Sequence, residues 1–245
     1  MNQSNLVMEP MPWDSKFFKL KIGKLYVTGN ESEDLVYSTL RQSDSFDLVY
    51  VFVEGARYLQ IQDSRLKLVD EKLVYLLERN SSPPNEILPL KEGVAIKEYP
   101  KQAPNHELIS LALQSGVHSR FFIDQNFEQE AYTNLYREWI ARSTDRTIAD
   151  KTFIAEWESS IVGFVTVKEK PQEFVIGLIS VDQNHRSLGI GQQLLSEVST
   201  TFFRSAAENL SVATQKRNKG ACHFYEKNGF KLSTQTNIYH FWHKS

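Results

Sequence analysis

The 245-residue chain has one cysteine, Cys222, so an intramolecular disulfide framework is excluded. No apolar run is long enough to span a bilayer, and Met1 to Pro12 lacks the basic start and apolar core of a signal peptide. The expected location is therefore the cytoplasm, with no membrane partner. An excess of charge is missing too: 28 Lys and Arg face 30 Asp and Glu, for a formal net charge of −2. With no lysine-rich tail and no zinc-finger spacing, a nucleic-acid partner is not expected. The six histidines do not gather. His240 and His243 are three apart in an expected strand and its tail, which turns them to opposite faces, so no metal site is expected. Two phosphate-binding signatures are also absent. No GxxxxGK[ST] occurs, and the position where a dinucleotide fingerprint needs its third glycine is Leu194.

What the chain does have is a phosphate-cradling turn, Arg186-Ser187-Leu188-Gly189-Ile190-Gly191. Before it, Phe174 to Val181 is short, rich in β-branched and aromatic residues, and bounded by turn formers, as a buried strand is. After it, Ile190, Leu194, Leu195, Val198 and Phe202 recur at helical spacing. The glycines let the backbone approach a ligand, Arg186 brings positive charge, and the first N–H groups of the new helix point toward an anion such as a pyrophosphate. His185 adds polarity beside this loop.

A second constellation follows the short strand Leu210 to Thr214. If Asn218 opens a helix, Ala221, Cys222 and Tyr225 share its face, and Gly229 stops it. Each residue has two readings at this point. Asn218 offers an amide to a ligand or caps its helix. Tyr225 donates a proton or packs in the core, and Cys222 is a nucleophile or inert filling.

Taken together, Arg-x-x-Gly-x-Gly and Asn-x-x-Ala-x-x-x-Tyr-Glu-Lys-x-Gly-Phe resemble the paired signature of the GCN5-related N-acetyltransferase (GNAT) superfamily. The resemblance covers at least Gly93 to the C-terminus. It implies an α/β fold with a mixed, twisted central sheet flanked by helices, and acetyl-CoA as cosubstrate without a metal. It further implies cofactor contacts from Ile179, Val181, Arg186, Ser187, Leu188, Gly189, Ile190, Gly191, Asn218 and Ala221. The backbone N–H of Val181 would hold the oxyanion, and Tyr225 would act as general acid. Many relatives place a glutamate on the strand before the loop. Here no carboxylate lies between Phe174 and Val181, so an ordered water chain is expected to serve as base.

The order of the remaining segments follows from pattern. Asn105 to Gly116 and Glu128 to Arg142 predict helices, Thr152 to Trp157 and Ile161 to Lys168 a hairpin, and Lys231 to Trp242 a closing strand. At this length a second module is expected in front. Ser81-Ser82-Pro83-Pro84-Asn85 reads as the linker, dividing a reduced N-terminal α/β domain (1–85) from the acetyltransferase domain (93–245). In the front part Phe46 to Val53 predicts a strand, and Leu59 to Val69 faintly echoes Tyr225 to Ser233, as in a degenerate copy of half the fold. It has no Gly-rich turn, so it should hold no cofactor.

A narrower resemblance rests on Met11-Pro12-Trp13-Asp14-Ser15-Lys16-Phe17-Phe18, Ser119-Arg120-Phe121, Tyr136 to Ile140, and Val212-Ala213-Thr214-Gln215. These look like the enzymes that acetylate dTDP-4-amino-4,6-dideoxygalactose for enterobacterial common antigen, except that Lys19 stands where a glycine is expected. The resemblance implies an amino-sugar nucleotide as the small-molecule amine, substrate contacts from Phe17, Arg120 and Phe121, and a homodimer. Arg120 suits a diphosphate, or is a solvated loop residue; Phe121, Phe122 and Trp139 offer stacking surface, or are core. Two alternatives stay open: a GNAT enzyme for another small-molecule or protein amine, and an acyl-CoA-binding module without turnover.

Overall fold

A computed structural model describes residues 6–80, 92–128 and 130–243. The expected linker, Ser81 to Asn85, lies outside the described residues. In chain order the front segment contains β1 (Met8–Pro10), α1 (Pro12–Phe18), β2 (Ile22–Val27), α2 (Glu33–Arg41), β3 (Leu48–Glu54) and β4 (Leu66–Glu78). The remainder contains β5 (Val94–Glu98), α3 (His106–Ser115), α4 (Arg120–Ile123), α5 (Ala131–Thr144), β6 (Lys151–Trp157), β7 (Ser160–Glu169) and β8 (Glu173–Val181). A 3₁₀ turn at Gln183–His185 then leads to α6 (Ile190–Arg204), β9 (Asn209–Gln215), α7 (Lys219–Lys227) and β10 (Lys231–Trp242).

All of these strands join one sheet in the order β1-β2-β3-β10-β4-β9-β8-β7-β6-β5. The front and rear segments interleave at its centre. β10, last in sequence, lies between β3 and β4 and is antiparallel to both, and β4 in turn pairs with β9. Side chains alternate across the sheet, so both faces are apolar and both are covered. α6 packs Ile190, Leu194, Leu195, Val198 and Phe202 onto one face, where Tyr75 and Leu77 of β4 meet Val165, Leu210 and Val212. α3 and α5 cover the other face through Leu108, Leu111 and Ile140 against Ile154 and Phe164. Toward the β1 end, a cluster of Leu25, Val36, Leu40, Val49 and Val51 is completed by Tyr239 and Phe241 of β10.

Local chemistry sets the element ends. The Asn105 side chain caps α3 by accepting from Leu108 N, and Gly116 follows its last residue, as the sequence predicts. The hairpin between β6 and β7 turns on Glu158 and Ser159, both at positive φ, the geometry a tight two-residue turn requires. Lys19, at the C-cap of α1, has φ 56 and ψ 35. That left-handed conformation is why a glycine is expected there, and the lysine adopts it at some backbone cost. The second predicted helix starts later than its pattern suggests, at Ala131 rather than Glu128, and a separate turn of helix, α4, precedes it. The sequence reading did not identify β2, α2 or the full length of β4.

Arg79, just past β4, ties the two segments together. Its guanidinium donates to the carbonyls of Phe203, Ser205 and Ala207 at 3.1, 2.5 and 2.6 Å, satisfying the C-terminal end of α6. Arg79→Ala is expected to lower stability by about 2–3 kcal/mol, because charge-assisted bonds to these carbonyls are lost. Urea unfolding of both proteins checks this; an unchanged midpoint would show that water replaces the guanidinium without cost.

Candidate active site

The site begins with a break in the sheet. β8 and β9 pair in parallel from Glu173↔Asn209 to Ile176↔Val212 and no further. At that point β8 bulges against β7, with the register shifting between Val165 and Val167. The Thr166 hydroxyl fills the bulge and accepts from Leu178 N at 2.8 Å. A Cβ on Gly177 would lie 2.9 Å from that hydroxyl oxygen, which is why glycine occupies the position. A bulge bends and twists its strand, and here β8 leaves β9, opening a wedge through the sheet.

Backbone parity then decides what lines the wedge. Asp182 N donates to Val162 O on β7 at 2.8 Å, and Leu178 N also points to β7. N–H groups alternate sides along a strand, so those of Ile179 and Val181 point into the opening, the direction a ligand carbonyl needs.

Two compartments meet in this wedge. The outer groove is lined by His185 to Ser187 and Gly189 to Gly191 of the loop, by Val181 and Ile179, and by the α7 residues Gly220, Ala221 and Phe224. The inner cavity is lined by Phe52, Asp70, Lys72, Ser119, Arg120, Phe121, Tyr136 and Trp139. Ser115, Ile179, Asn218, Ala221 and Tyr225 border both.

The loop at the outer groove is held open by specific bonds. Asp182 accepts from Asn184 N at 3.0 Å, contacts His185 Nδ1 at 3.0 Å, and accepts from Gln114 Nε2 of α3 at 3.2 Å. Ser187 and Gly189 have φ of 62 and 78, so the chain turns back sharply before α6. Gly189 is the N-cap, and no side chain caps that helix. A helix start left uncapped by its own side chains, with Arg186 beside it, is the arrangement that receives phosphate oxygens. Arg186 Nε donates to Val181 O at 3.1 Å while the side chain stays exposed. Leu188 differs from its neighbours: its side chain packs against the core, so only its backbone can serve a ligand. The loop, the two inward N–H groups and the small residues Gly191 and Ala221 together fit an extended nucleotide thioester such as acetyl-CoA.

On α7, Asn218 accepts from Ala221 N through its side-chain oxygen at 3.2 Å. It caps the helix and borders the groove at once, leaving its amide nitrogen for a ligand. Tyr225 is 3% exposed, and burial raises its phenol above the usual range, so it keeps its proton at neutral pH. Cys222 packs in the core on the same helix, its thiol directed at Gln215 O.

The inner cavity holds Arg120, Phe121 and Trp139 of the candidates named for the acceptor, but not Phe17 or Phe122. The Arg120 guanidinium sits over the rings of Tyr50, Phe121 and Phe52 at 4.2, 4.7 and 5.6 Å. Its Nη1 is buried and has no hydrogen-bond partner, so it is not a solvated loop residue. Phe121 and Trp139 line the cavity, whereas Phe122 is 53% exposed and turns to solvent. Phe17 does not line either compartment: its ring stacks on Trp13 at 5.0 Å and packs edge-on to Phe18. Asp70 and Lys72 were not singled out from sequence. They come from β4, 5% exposed in the case of Asp70, and no motif marks them.

A buried cluster fixes the wall that carries Arg120. Asp124, at the end of α4, accepts from Trp242 Nε1 at 2.8 Å and meets His240 Nδ1 at 2.5 Å on β10. Burial holds His240 below its ordinary pKa, so at neutral pH it is an uncharged donor to the Asp124 carboxylate.

Residues 110–230 match the model of the acetyltransferase (GNAT) family. The spore coat polysaccharide biosynthesis protein SpsD of Bacillus subtilis is 23% identical over 98% of this chain and 84% of its own length. A 5-NmdU N-acetyltransferase of Pseudomonas phage PaMx11 is 28% identical over 53% of this chain and 82% of its own. Among solved structures, a tandem GNAT protein from the clavulanic acid biosynthesis pathway superposes with a TM-score of 0.58 at 12% identity, covering 91% of this chain and 76% of that one.

Because the folded His240 binds a proton less readily than the unfolded one, acid favours unfolding. Stability is expected to fall as pH drops below about 6.5, by ~1 kcal/mol or more per unit of pKa separation. Replacing His240 by Gln should flatten that part of the profile. Denaturant midpoints between pH 7 and pH 4.5 test this, and identical slopes in the two proteins would refute it.

Proposed function

From a chain that carries a domain of the acetyltransferase (GNAT) family over residues 110–230, and is an N-acetyltransferase, we propose the following acceptor and site roles. The protein transfers acetyl from acetyl-CoA to the amine of a nucleotide-linked amino sugar of the dTDP-4-amino-4,6-dideoxyhexose type. The observation that supports this acceptor most is the inner cavity: Arg120 and Lys72 present cationic groups without an ion pair among the described residues, beside the aromatic surface of Phe52, Phe121 and Trp139. Cations at an aromatic wall suit a diphosphate next to a base or sugar ring. The similarity to a spore coat polysaccharide biosynthesis protein along nearly the whole chain is in keeping with an amino-sugar acceptor.

In this reading acetyl-CoA is a substrate, and it supplies the acetyl group activated as a thioester. The loop from Arg186 to Gly191 holds its pyrophosphate, and Asn218 and Ala221 border its pantetheine arm. Val181 N–H faces the oxygen on which charge builds, an interaction that is stronger in the transition state than before it. Tyr225, protonated and at the junction of the two compartments, supplies the departing sulfur with a proton. The front segment, expected from sequence as a reduced domain over residues 1–85 without a cofactor site, would serve the reaction by bringing β4 to the wall of the cavity.

Two measurements test these roles. Thiol release from acetyl-CoA is expected with dTDP-4-amino-4,6-dideoxyhexoses and much less with the free sugars or with simple alkyl amines. Equal rates with all of these would remove the nucleotide from the recognition. Tyr225→Phe is expected to lower kcat by roughly 10²-fold or more while leaving acetyl-CoA affinity nearly unchanged. An unaltered kcat would take Tyr225 out of the acid role.

A further inference from the structure

A primary amine is mostly an ammonium ion at neutral pH, and only the neutral form attacks a thioester, so one proton must leave before the bond forms. β8 has no carboxylate along its inward-facing stretch to receive it. The fold supplies one from elsewhere. Asp70 is the only carboxylate among the described residues lining either compartment. It projects from β4 opposite Ile238 of β10, just beyond the point where Gln215 ends the pairing of β4 with β9. It is 5% exposed, and its Oδ1 is buried without a hydrogen-bond partner. A buried carboxylate oxygen left unpaired is costly, and here the unpaired atom belongs to a residue lining the cavity where the acceptor would lie.

We propose that Asp70 is the general base of the acetyl transfer, taking one proton from the acceptor's ammonium group. The inference rests on the N-acetyltransferase reading of this same site. The bookkeeping of the step closes without a further reagent. The ammonium nitrogen gives a proton to the Asp70 carboxylate and becomes a neutral amine. Its lone pair forms the N–C bond to the acetyl carbonyl carbon, and the C–S bond breaks. Tyr225 gives its proton to the sulfur and recovers the second proton that the nitrogen sheds as the amide forms. Asp70 then releases its proton to solvent, so the net reaction yields amide, thiol and one proton.

The surroundings of Asp70 suit that task. Burial pushes its carboxyl up to about 6, while Arg120, Arg217 and Lys72 pull it down. A base so poised is ionised at neutral pH yet binds a proton more readily than an ordinary aspartate. The groups facing it come from every element packed around it: Lys72 on β4 itself, Arg120 on α4, Arg217 before α7, and Tyr136 on α5. Burial raises the Tyr136 phenol to about 12, and Tyr225 is raised as well, so neither competes for the proton near neutrality. Burial and Arg120 both lower Lys72, while Asp70 raises it.

The test is the pH dependence of acetyl transfer by the full chain, with acetyl-CoA and an amine that the wild-type protein accepts. In wild type, kcat/KM is expected to rise through pH 6 and level off near pH 7. In Asp70→Asn, kcat/KM at pH 6.5 should fall by roughly 10²-fold or more. The deficit should shrink as pH approaches the amine's own pKa, because the free amine then arrives without needing a base. Asp70→Glu keeps the carboxylate and should retain the wild-type shape at a lower rate. Binding of acetyl-CoA by calorimetry reports on the fold of each variant independently of turnover. A deficit constant across pH, or a rise in KM with kcat intact, would overturn the assignment of Asp70 while leaving the acetyltransfer reading standing. Absence of turnover by wild type with every amine would overturn both. If the Asn variant does not bind acetyl-CoA, the Glu variant decides alone, and loss of the pH 6 limb there refutes the proposal.

Discussion

The antiparallel seam between β4 and β10 runs through the middle of the sheet, and both strands are out of sequence order there. β10 pairs on its other side with β3, and β4 on its other side with β9. Neither the front segment nor the rear one can close its share of the sheet without a strand from the other. The apolar cluster of the front segment is completed by Tyr239 and Phe241, and the main cluster of the rear segment takes Leu73, Tyr75 and Leu77 from β4. Burial of this kind is the largest favourable contribution to folding. The interleaving therefore makes the two segments a single cooperative object, with Arg79 fastening the end of β4 to the end of α6.

The chemistry is downstream of that seam. The wedge between β8 and β9 arises from the bulge at Gly177 and Leu178, and it supplies inward N–H groups and a route through the sheet. What stands at the inner end of the route is decided by β4, which carries Asp70 and Lys72 beneath it. On the opposite side, α4 brings Arg120, and the buried Asp124, His240 and Trp242 cluster fastens α4 to β10. One side of the site is thus built from a contiguous stretch around residues 177–225. The inner cavity is assembled from elements far apart in the chain, among them β3, β4, α4, α5 and β10.

The outer groove was legible in the sequence because its determinants are local. Gly189 and Gly191 around a strand-to-helix turn, and Asn218, Ala221 and Tyr225 at helical spacing, act through backbone geometry and helix periodicity, both of which repeat over a few residues. The hairpin of Thr152 to Trp157 with Ile161 to Lys168 and the helix from Asn105 to Gly116 were visible for the same reason. The narrower resemblance implied a substrate contact from Phe17, but its ring is spent on packing with Trp13 and Phe18. Spacing alone could not tell a packed aromatic from one facing a ligand. β8 carries no carboxylate between Phe174 and Val181, so no local pattern pointed to a side-chain base.

The sequence by itself determined the loop from Arg186 to Gly191, the helix that carries Tyr225 and the acetyltransferase class, since short-range backbone preferences suffice to form the two local elements. Only the tertiary structure decided which residues line the inner cavity. Asp70 lies in a charged stretch of β4 with no motif around it, and its meaning comes from being buried opposite Ile238, within electrostatic reach of Arg120 and Arg217. That environment depends on contacts between residues far apart in the chain, and a carboxylate's proton affinity is set by its neighbours in space.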